Sequence, residues 1–196
     1  EERFQAANYI FKEGKRLEAL SFKLLDLLVV RQQELKRHPV DACWLAKEVQ
    51  GILQPALKGQ GLLLKVNVEE VMLSLEPDLM KTVLMNLIDN GRKAMDGSPG
   101  VLYLLGRREE KGFSYYVRDT GKGIPEPELK HITDAFYMVD KSRSRQQGGA
   151  GLGLSICAEI VSRHGGRMTF KSTVGKGTVV RVFIPVNDER AVGGLE

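Results

Sequence analysis

A chain of 196 residues, 42% hydrophobic and 28% charged, has the length for about one ordinary domain plus an extension, and a composition that excludes disorder and collagen-like or repetitive architecture. The two cysteines, Cys43 and Cys157, lie far apart, which excludes a disulfide framework or metal knuckle and makes buried thiols in a reducing compartment the expectation. The net charge of +4 suits an anionic partner without choosing one, and no apolar run approaches the roughly 20 residues of a membrane span, the longest, Leu24 to Val30, being interrupted by Asp26.

Residues 1 to about 37 carry Phe4, Phe11, Leu17, Leu20, Leu24, Leu27 and Leu28, mostly three or four positions apart, which predicts one long amphipathic helix. His38-Pro39 breaks it, because the residue before proline is pushed out of the helical region. Asp41 is an N-cap candidate for a second helix to about Leu57, closed by Lys58-Gly59-Gln60-Gly61. Leu62 to Val68 and Val71 to Leu75 read as strands, and Glu76-Pro77-Asp78 opens a third helix to about Met95, with proline where the first turn tolerates it. A turn cluster at 96–100 leads into an apparent hairpin, Val101 to Arg107 and Phe113 to Arg118. After a long polar, glycine-punctuated stretch come a helix from about Gly151 to His164 and strands Arg167 to Ser172 and Thr178 to Pro185. Asn187 to Glu196 reads as a loose tail in which Leu195-Glu196 resembles a cloning remnant. The start at Glu1 rather than methionine makes a fragment of a longer protein the expectation.

Three features bear on chemistry. On the third helix, Met80, Val83, Leu84, Leu87 and Ile88 form a core stripe, and Asn86, Asn90 and Lys93 fall within roughly 60° of one another on a separate face. Two amides and an ammonium there can offer oxygen ligands to a cation and a positive point to phosphate, or can form an ordinary solvated face. At the end of a strand, Asp119-Thr120-Gly121-Lys122-Gly123-Ile124-Pro125 frees the backbone to meet a planar ligand, with a carboxylate able to accept from an exocyclic amine. It also reads as an ordinary turn. Finally, Gly148-Gly149-Ala150-Gly151-Leu152-Gly153-Leu154 runs into a helix and places free amides at its positive end, where phosphate is the natural guest and a linker the plainer reading. The basic, polar stretch Asp140 to Gln147 before it is no Rossmann strand, and no Walker sequence is present.

In this order and separation the three features resemble the ATP-binding domain of sensor histidine kinases, within the superfamily that includes gyrase, heat-shock chaperones and mismatch-repair proteins. Asn86 to Ala94 is similar to the family's N box, Asp119 to Pro125 to its first glycine box, and Phe136 to Arg145 to its F box. Gly149 to Leu154 resembles the second glycine box and Gly175-Lys176-Gly177-Thr178 the last glycine element, so the likeness covers about 40 to 186. The first helix, with Arg16-Leu17 and Leu24-Leu25-Asp26-Leu27, resembles the second helix of the family's dimerisation hairpin.

The resemblance implies an α/β two-layer sandwich of a mixed sheet covered by helices on one face, preceded by a long N-terminal helix. It divides the chain into 1–38, part of the hairpin without its phosphoacceptor helix, 39–187, the ATP-binding kinase domain, and 188–196, a flexible tail. The implied cofactors are ATP and Mg2+, with Asn90 as principal metal ligand, Asn86 assisting and Lys93 touching phosphate. Asp119 would bind the adenine amino group, Gly121 and Gly123 would permit the approach, and Thr178 would support it through water. Gly149, Gly151 and Gly153 would cradle phosphates; Ile124, Tyr137, Lys141 and Leu152 complete the implied ATP-binding set. The implied activity is transfer of the γ-phosphoryl group of ATP to a histidine outside this chain, for relay to a response-regulator aspartate. The expected partners are a second copy through the N-terminal helix, a response regulator and a phosphoacceptor domain, with no nucleic acid. The expected setting is a cytoplasmic domain, and a membrane-anchored sensor is compatible with it.

The departures are specific. Met138 stands where many members have arginine, leaving Lys141, Arg143 or Arg145 to replace it; Gly91 and Ala150 stand where alanine and threonine are frequent. None of His38, His131 and His164 has the acceptor's sequence surroundings, so this fragment is expected to bind Mg-ATP without phosphorylating itself. Two alternatives stay open: a non-catalytic nucleotide-binding scaffold, and a related ATPase or serine kinase using an acidic residue on the N-box helix. For the second, Asp89 points about 100° away from Asn90.

Overall fold

The computed structural model describes residues 1–32, 34–139 and 151–186. Helix α1 (Glu2–Gln32) is followed by β1 (His38–Asp41), α2 (Ala42–Lys58), β2 (Leu62–Val68) and β3 (Met72–Leu75). Then come α3 (Pro77–Ala94), β4 (Gly100–Glu109), β5 (Gly112–Arg118), a short 3-10 turn (Glu126–Glu128), α4 (Gly153–Arg163), β6 (Arg167–Thr173) and β7 (Gly177–Pro185). The main sheet has the order β2-β4-β5-β7-β6 and is mixed: β2 runs parallel to β4 and the other neighbours are antiparallel. The parallel pair needs a crossover, and α3 lies on it.

Alternation separates the two faces of the sheet. Leu102 and Leu104 of β4, Tyr115 and Val117 of β5, and Val180 and Val182 of β7 are buried beneath α2, α3 and α4, which pack on this side. The opposite face carries Tyr103, Arg118, Arg167, Arg181 and Phe183. There the Arg118 guanidinium sits 5.8 Å from the Tyr103 ring centre, and those of Arg167 and Arg181 sit 4.7 and 5.4 Å from the Phe183 ring. The expected sandwich with helices on one face is the fold observed.

Local chemistry fixes the helix ends. Asp41 caps α2, its carboxylate accepting from Trp44 N at 2.6 Å, and Gly61 at φ +72° makes the turn into β2. Glu76 caps α3 by accepting from Asp78 N and Leu79 N. One element escapes the sequence reading. Residues 38–41, expected only to break a helix, form β1, which pairs antiparallel with β3 in a separate two-stranded sheet. Pro39 is tolerated because such a ribbon is all edge. The long helix also ends earlier than expected, at Gln32, and α4 begins at Gly153 rather than Gly151.

Helix α1 meets the domain at its C-terminal end. Val30 is buried, Arg163 of α4 donates to the Val30 carbonyl, and Arg37 Nη2 donates to the Arg163 carbonyl at 2.9 Å. Towards its N-terminus α1 leaves Phe4, Tyr9, Ile10, Phe11, Leu17 and Phe22 exposed. Among the described residues no helix is long and apolar enough to cross a membrane.

Candidate functional site

Helix α3, the ends of β5 and β7, the loop after β5 and the start of α4 enclose a cavity of about 260 Å3. From α3, Asn86, Asn90 and Lys93 line it, as the face spacing requires. Asp119 enters directly after β5 and Thr178 at the second residue of β7, on strands already paired through Arg118 and Val179. Asp119 N donates to Thr178 O at 3.0 Å, and Thr178 N returns a bond to Asp119 Oδ1 at 3.2 Å. Gly121 N also donates to Oδ1, at 2.9 Å, so one carboxylate oxygen is fixed by two backbone donors. Burial pushes the Asp119 carboxyl above its ordinary pKa and the backbone donors oppose the shift only in part.

The glycines of the loop after β5 act by close approach. Gly123, at φ +69°, lies so near the Thr173 carbonyl that a Cβ would collide with it, and Gly121 lies as close to Ala94. Gly123 and Ile124 line the cavity, whereas Gly121 serves it from behind. On the facing side Gly151, at φ +68°, accepts from Phe136 N at 2.9 Å, leaving no room for a side chain against the Phe136 backbone. Gly151 and Gly153 line the cavity, and Leu152 is fully buried beneath α4. No side-chain bond caps α4 at Leu152, and the Asn86 side chain faces Gly153, its Oδ1 3.5 Å from where a Cβ would stand. Tyr137 lines the cavity with its hydroxyl donating to Glu128 and its ring against His131. Met138 lines it too. Lys141 and Gly149, with Arg143, Arg145 and Ala150, lie outside the described residues.

Asp89 also lines the cavity, and its bonds define its role. Oδ1 accepts from Arg92 Nε and Oδ2 from Lys93 Nζ, both at 2.8 Å. Burial alone would raise its carboxyl, but the hydrogen bonds from Lys93 and Arg92 outweigh it and hold the pKa below the ordinary value. A carboxylate held so is a poor base and a good anchor for Lys93. The sequence reading missed Phe170 and Ile132 as apolar walls and Ser172 as a partner of the loop. For Phe170 the alternation of Met168 and Phe170 along β6 carried the signal; nothing comparable marked Ile132 or Ser172.

Among the described residues no cluster of three or more His, Cys, Asp or Glu gathers around a possible metal ion. A cation here would find neutral amide oxygens from Asn86 and Asn90. That donor set fits Mg2+, a hard ion which keeps waters and shares ligands with phosphate.

Residues 75–188 match the model of the histidine kinase-, DNA gyrase B- and HSP90-like ATPase family. The chain is 36% identical over 122 residues to the sensor histidine kinase WalK of Bacillus subtilis, covering 62% of this chain and 20% of that protein. It therefore spans about a fifth of the length of the curated relatives it matches. Among solved structures, the Acinetobacter baumannii histidine kinase AdeS superimposes with a TM-score of 0.73 at 18% identity, covering 92% of this chain and 84% of that one. The histidine kinase ThkA, in complex with the response regulator protein TrrA, gives a TM-score of 0.73 at 23% identity, covering 93% and 51%. Both share the fold.

Proposed function

The chain belongs to the histidine kinase-, DNA gyrase B- and HSP90-like ATPase family, and from that premise we propose that its cavity holds Mg-ATP for phosphoryl transfer to a histidine outside this chain. The carrying observation is the convergence on one cavity of the Asp119 carboxylate, buried and half-satisfied by backbone donors, with the Asn86, Asn90 and Lys93 face of α3. Oδ2 of Asp119 accepts from the adenine amino group, with Thr178 beside it, while Gly121 and Gly123 let the loop close on the base. Lys93, steadied by Asp89, keeps donors for phosphate. Asn90 and Asn86 hold Mg2+, which when bound neutralises charge on the phosphate oxygens. Gly151 and Gly153 bring backbone amides to the phosphates at the start of α4, and Ile124 and Tyr137 complete the enclosure, with Leu152 buried behind it rather than lining it. Lys141 and Gly149 are assigned to phosphate from the sequence alone.

Phosphoryl transfer asks the protein for positioning and charge neutralisation. The three histidines do not supply the acceptor. His164, fully buried, donates from Nδ1 to the Ile160 carbonyl and accepts from Glu76 N at Nε2, which commits both nitrogens. His131 is paired with Asp134 and His38 lies on β1. A phosphoacceptor domain, a response regulator relaying the group and a second copy meeting the exposed face of α1 are the partners of this reading, and the cytoplasm its setting. The paired state of Asp89 disfavours a water-activating ATPase.

Calorimetric titration of ATP with and without magnesium tests it. Asp119→Asn is expected to weaken ATP binding by on the order of a hundredfold, as loss of a charged acceptor at a buried contact does. Asn90→Ala is expected to abolish the magnesium dependence while leaving the adenine contacts. No binding by the folded wild-type chain would overturn the reading in favour of a scaffold module.

A further inference from the structure

Ser172 does not line the cavity, yet its hydroxyl makes three contacts at the wall. Ile124 N lies 2.8 Å from Oγ, the Gly177 carbonyl 3.0 Å and the Thr178 hydroxyl 2.9 Å. Only one arrangement of protons satisfies all three. Ile124 N–H can only donate and the Gly177 carbonyl can only accept, so Ser172 spends its single proton on Gly177. The Thr178 hydroxyl must then donate to Ser172. The alternative, Ser172 donating to Thr178, would set its lone pairs against the Gly177 carbonyl oxygen at 3.0 Å.

The consequence reaches the cavity through Thr178, which is buried and lines it. With its proton turned back to Ser172, Thr178 Oγ1 keeps lone pairs alone for any ligand group that reaches it from the cavity the residue lines. Beside it Asp119 receives both backbone donors on Oδ1, and no described residue bonds to Oδ2. This end of the cavity therefore presents two acceptors and no hydroxyl donor. A purine with an amino group at C6 satisfies such a pair, whereas one with a carbonyl there meets lone pair with lone pair.

We propose that Ser172 is a specificity-determining positioning residue: by orienting the Thr178 hydroxyl as an acceptor it makes the cavity select adenine over guanine nucleotides. This rests on the nucleotide reading above and adds a residue that acts through another. Removing the Ser172 hydroxyl frees the Thr178 proton to turn towards a guanine O6. It also leaves Ile124 N without its partner, which loosens the loop after β5, but that loosening weakens both nucleotides alike and cancels in their ratio.

The test is equilibrium titration of ATP and GTP into the wild-type chain, Ser172→Ala, Ser172→Thr, Thr178→Val and the double variant Ser172→Ala/Thr178→Val. The wild type is expected to prefer ATP, Ser172→Ala to narrow that preference by ~tenfold, the scale of one hydrogen bond reversed in polarity, and Ser172→Thr to retain it. In the Thr178→Val background the Ser172→Ala change is expected to leave the ratio where Thr178→Val alone puts it, because the route runs through Thr178. Equal weakening of ATP and GTP by Ser172→Ala, or a narrowing that persists without the Thr178 hydroxyl, would overturn the assignment and leave Ser172 as a loop tether. A wild-type chain that binds neither nucleotide overturns the nucleotide reading itself, a result distinct from ATP binding with an unmoved ratio.

Discussion

Burial raises the Asp119 carboxyl, and the bonds from Gly121 and Thr178 compensate only partly. Only the ionised form accepts from an amine through either oxygen, so a proton competes with the base. ATP affinity is therefore expected to fall as pH drops towards this raised pKa, while still above the ordinary Asp range near ~3.9. Titrations at descending pH would read this, with Asp119→Asn weak throughout and free of that step. Asp89 shows the opposite outcome because Lys93 and Arg92 meet it with cations. The thiols give a second expectation. Burial pushes Cys157 up to about 12, and Cys43 is buried as well. A thiol reagent at pH 8 should label neither in the native chain and both after unfolding. At this scale the sequence made Asp119 and the Asn86, Asn90 and Lys93 face legible, because box spacing and helical period are local. Ser172 was not legible, because its partners Ile124 and Gly177 come from other segments and only folding joins them.

Elements meet the site through two contacts that helix propensity alone does not explain. Gly91 sits where α3 presses on the sheet: an added Cβ would stand 3.0 Å from Leu102 Cδ2 and 3.3 Å from Asp119 Cβ. Gly91→Val is expected to cost roughly 1–3 kcal/mol by overpacking, despite the helix's dislike of glycine, and to displace Asp119; a thermal melt and an ATP titration together would show it. His164 joins the end of α4 to the start of α3 by accepting from Glu76 N. Burial lowers its pKa first of all. The Ile160 carbonyl and Glu76 work against that lowering, and Arg37 and Arg163 add to it. A histidine whose folded pKa is depressed contributes stability above its unfolded pKa of about 6.5 and loses it as pH falls through the folded value. The melting temperature should decline on acidification from that range downward, and less steeply in His164→Gln. Most elements were legible because amphipathic period, capping residues and turn glycines agreed with one another. β1 was not: Pro39 reads as a breaker, and the four residues form a strand only because β3 supplies the partner.

Over the whole molecule, α1 is tied to the domain at Val30, and the segment after it at Arg37, while farther out the helix shows water a row of large apolar side chains. Such a surface calls for cover, and in the function proposed above a second copy is what supplies it. Sedimentation is expected to reveal association that Phe11→Glu with Leu25→Glu weakens by at least ~tenfold, since both residues are more than half exposed, at 65% and 52%. An unchanged distribution would place the self-contact elsewhere. The sheet, by contrast, is closed to such growth on one side. At the centre of the edge strand β2, Gln50 Nε2 donates to the Leu64 carbonyl at 2.8 Å, and Leu64 N donates to Gln54 Oε1 at 3.1 Å. Two side chains of α2 thus imitate a neighbouring strand where a foreign one would otherwise begin to pair. Growth of the main sheet strand by strand needs a receptive edge on both sides, and among the described residues its β2 edge is guarded at Leu64 while the other edge is β6. A pair of molecules joined along β6 would therefore present a guarded β2 edge at either end of the combined sheet, which hinders its further extension.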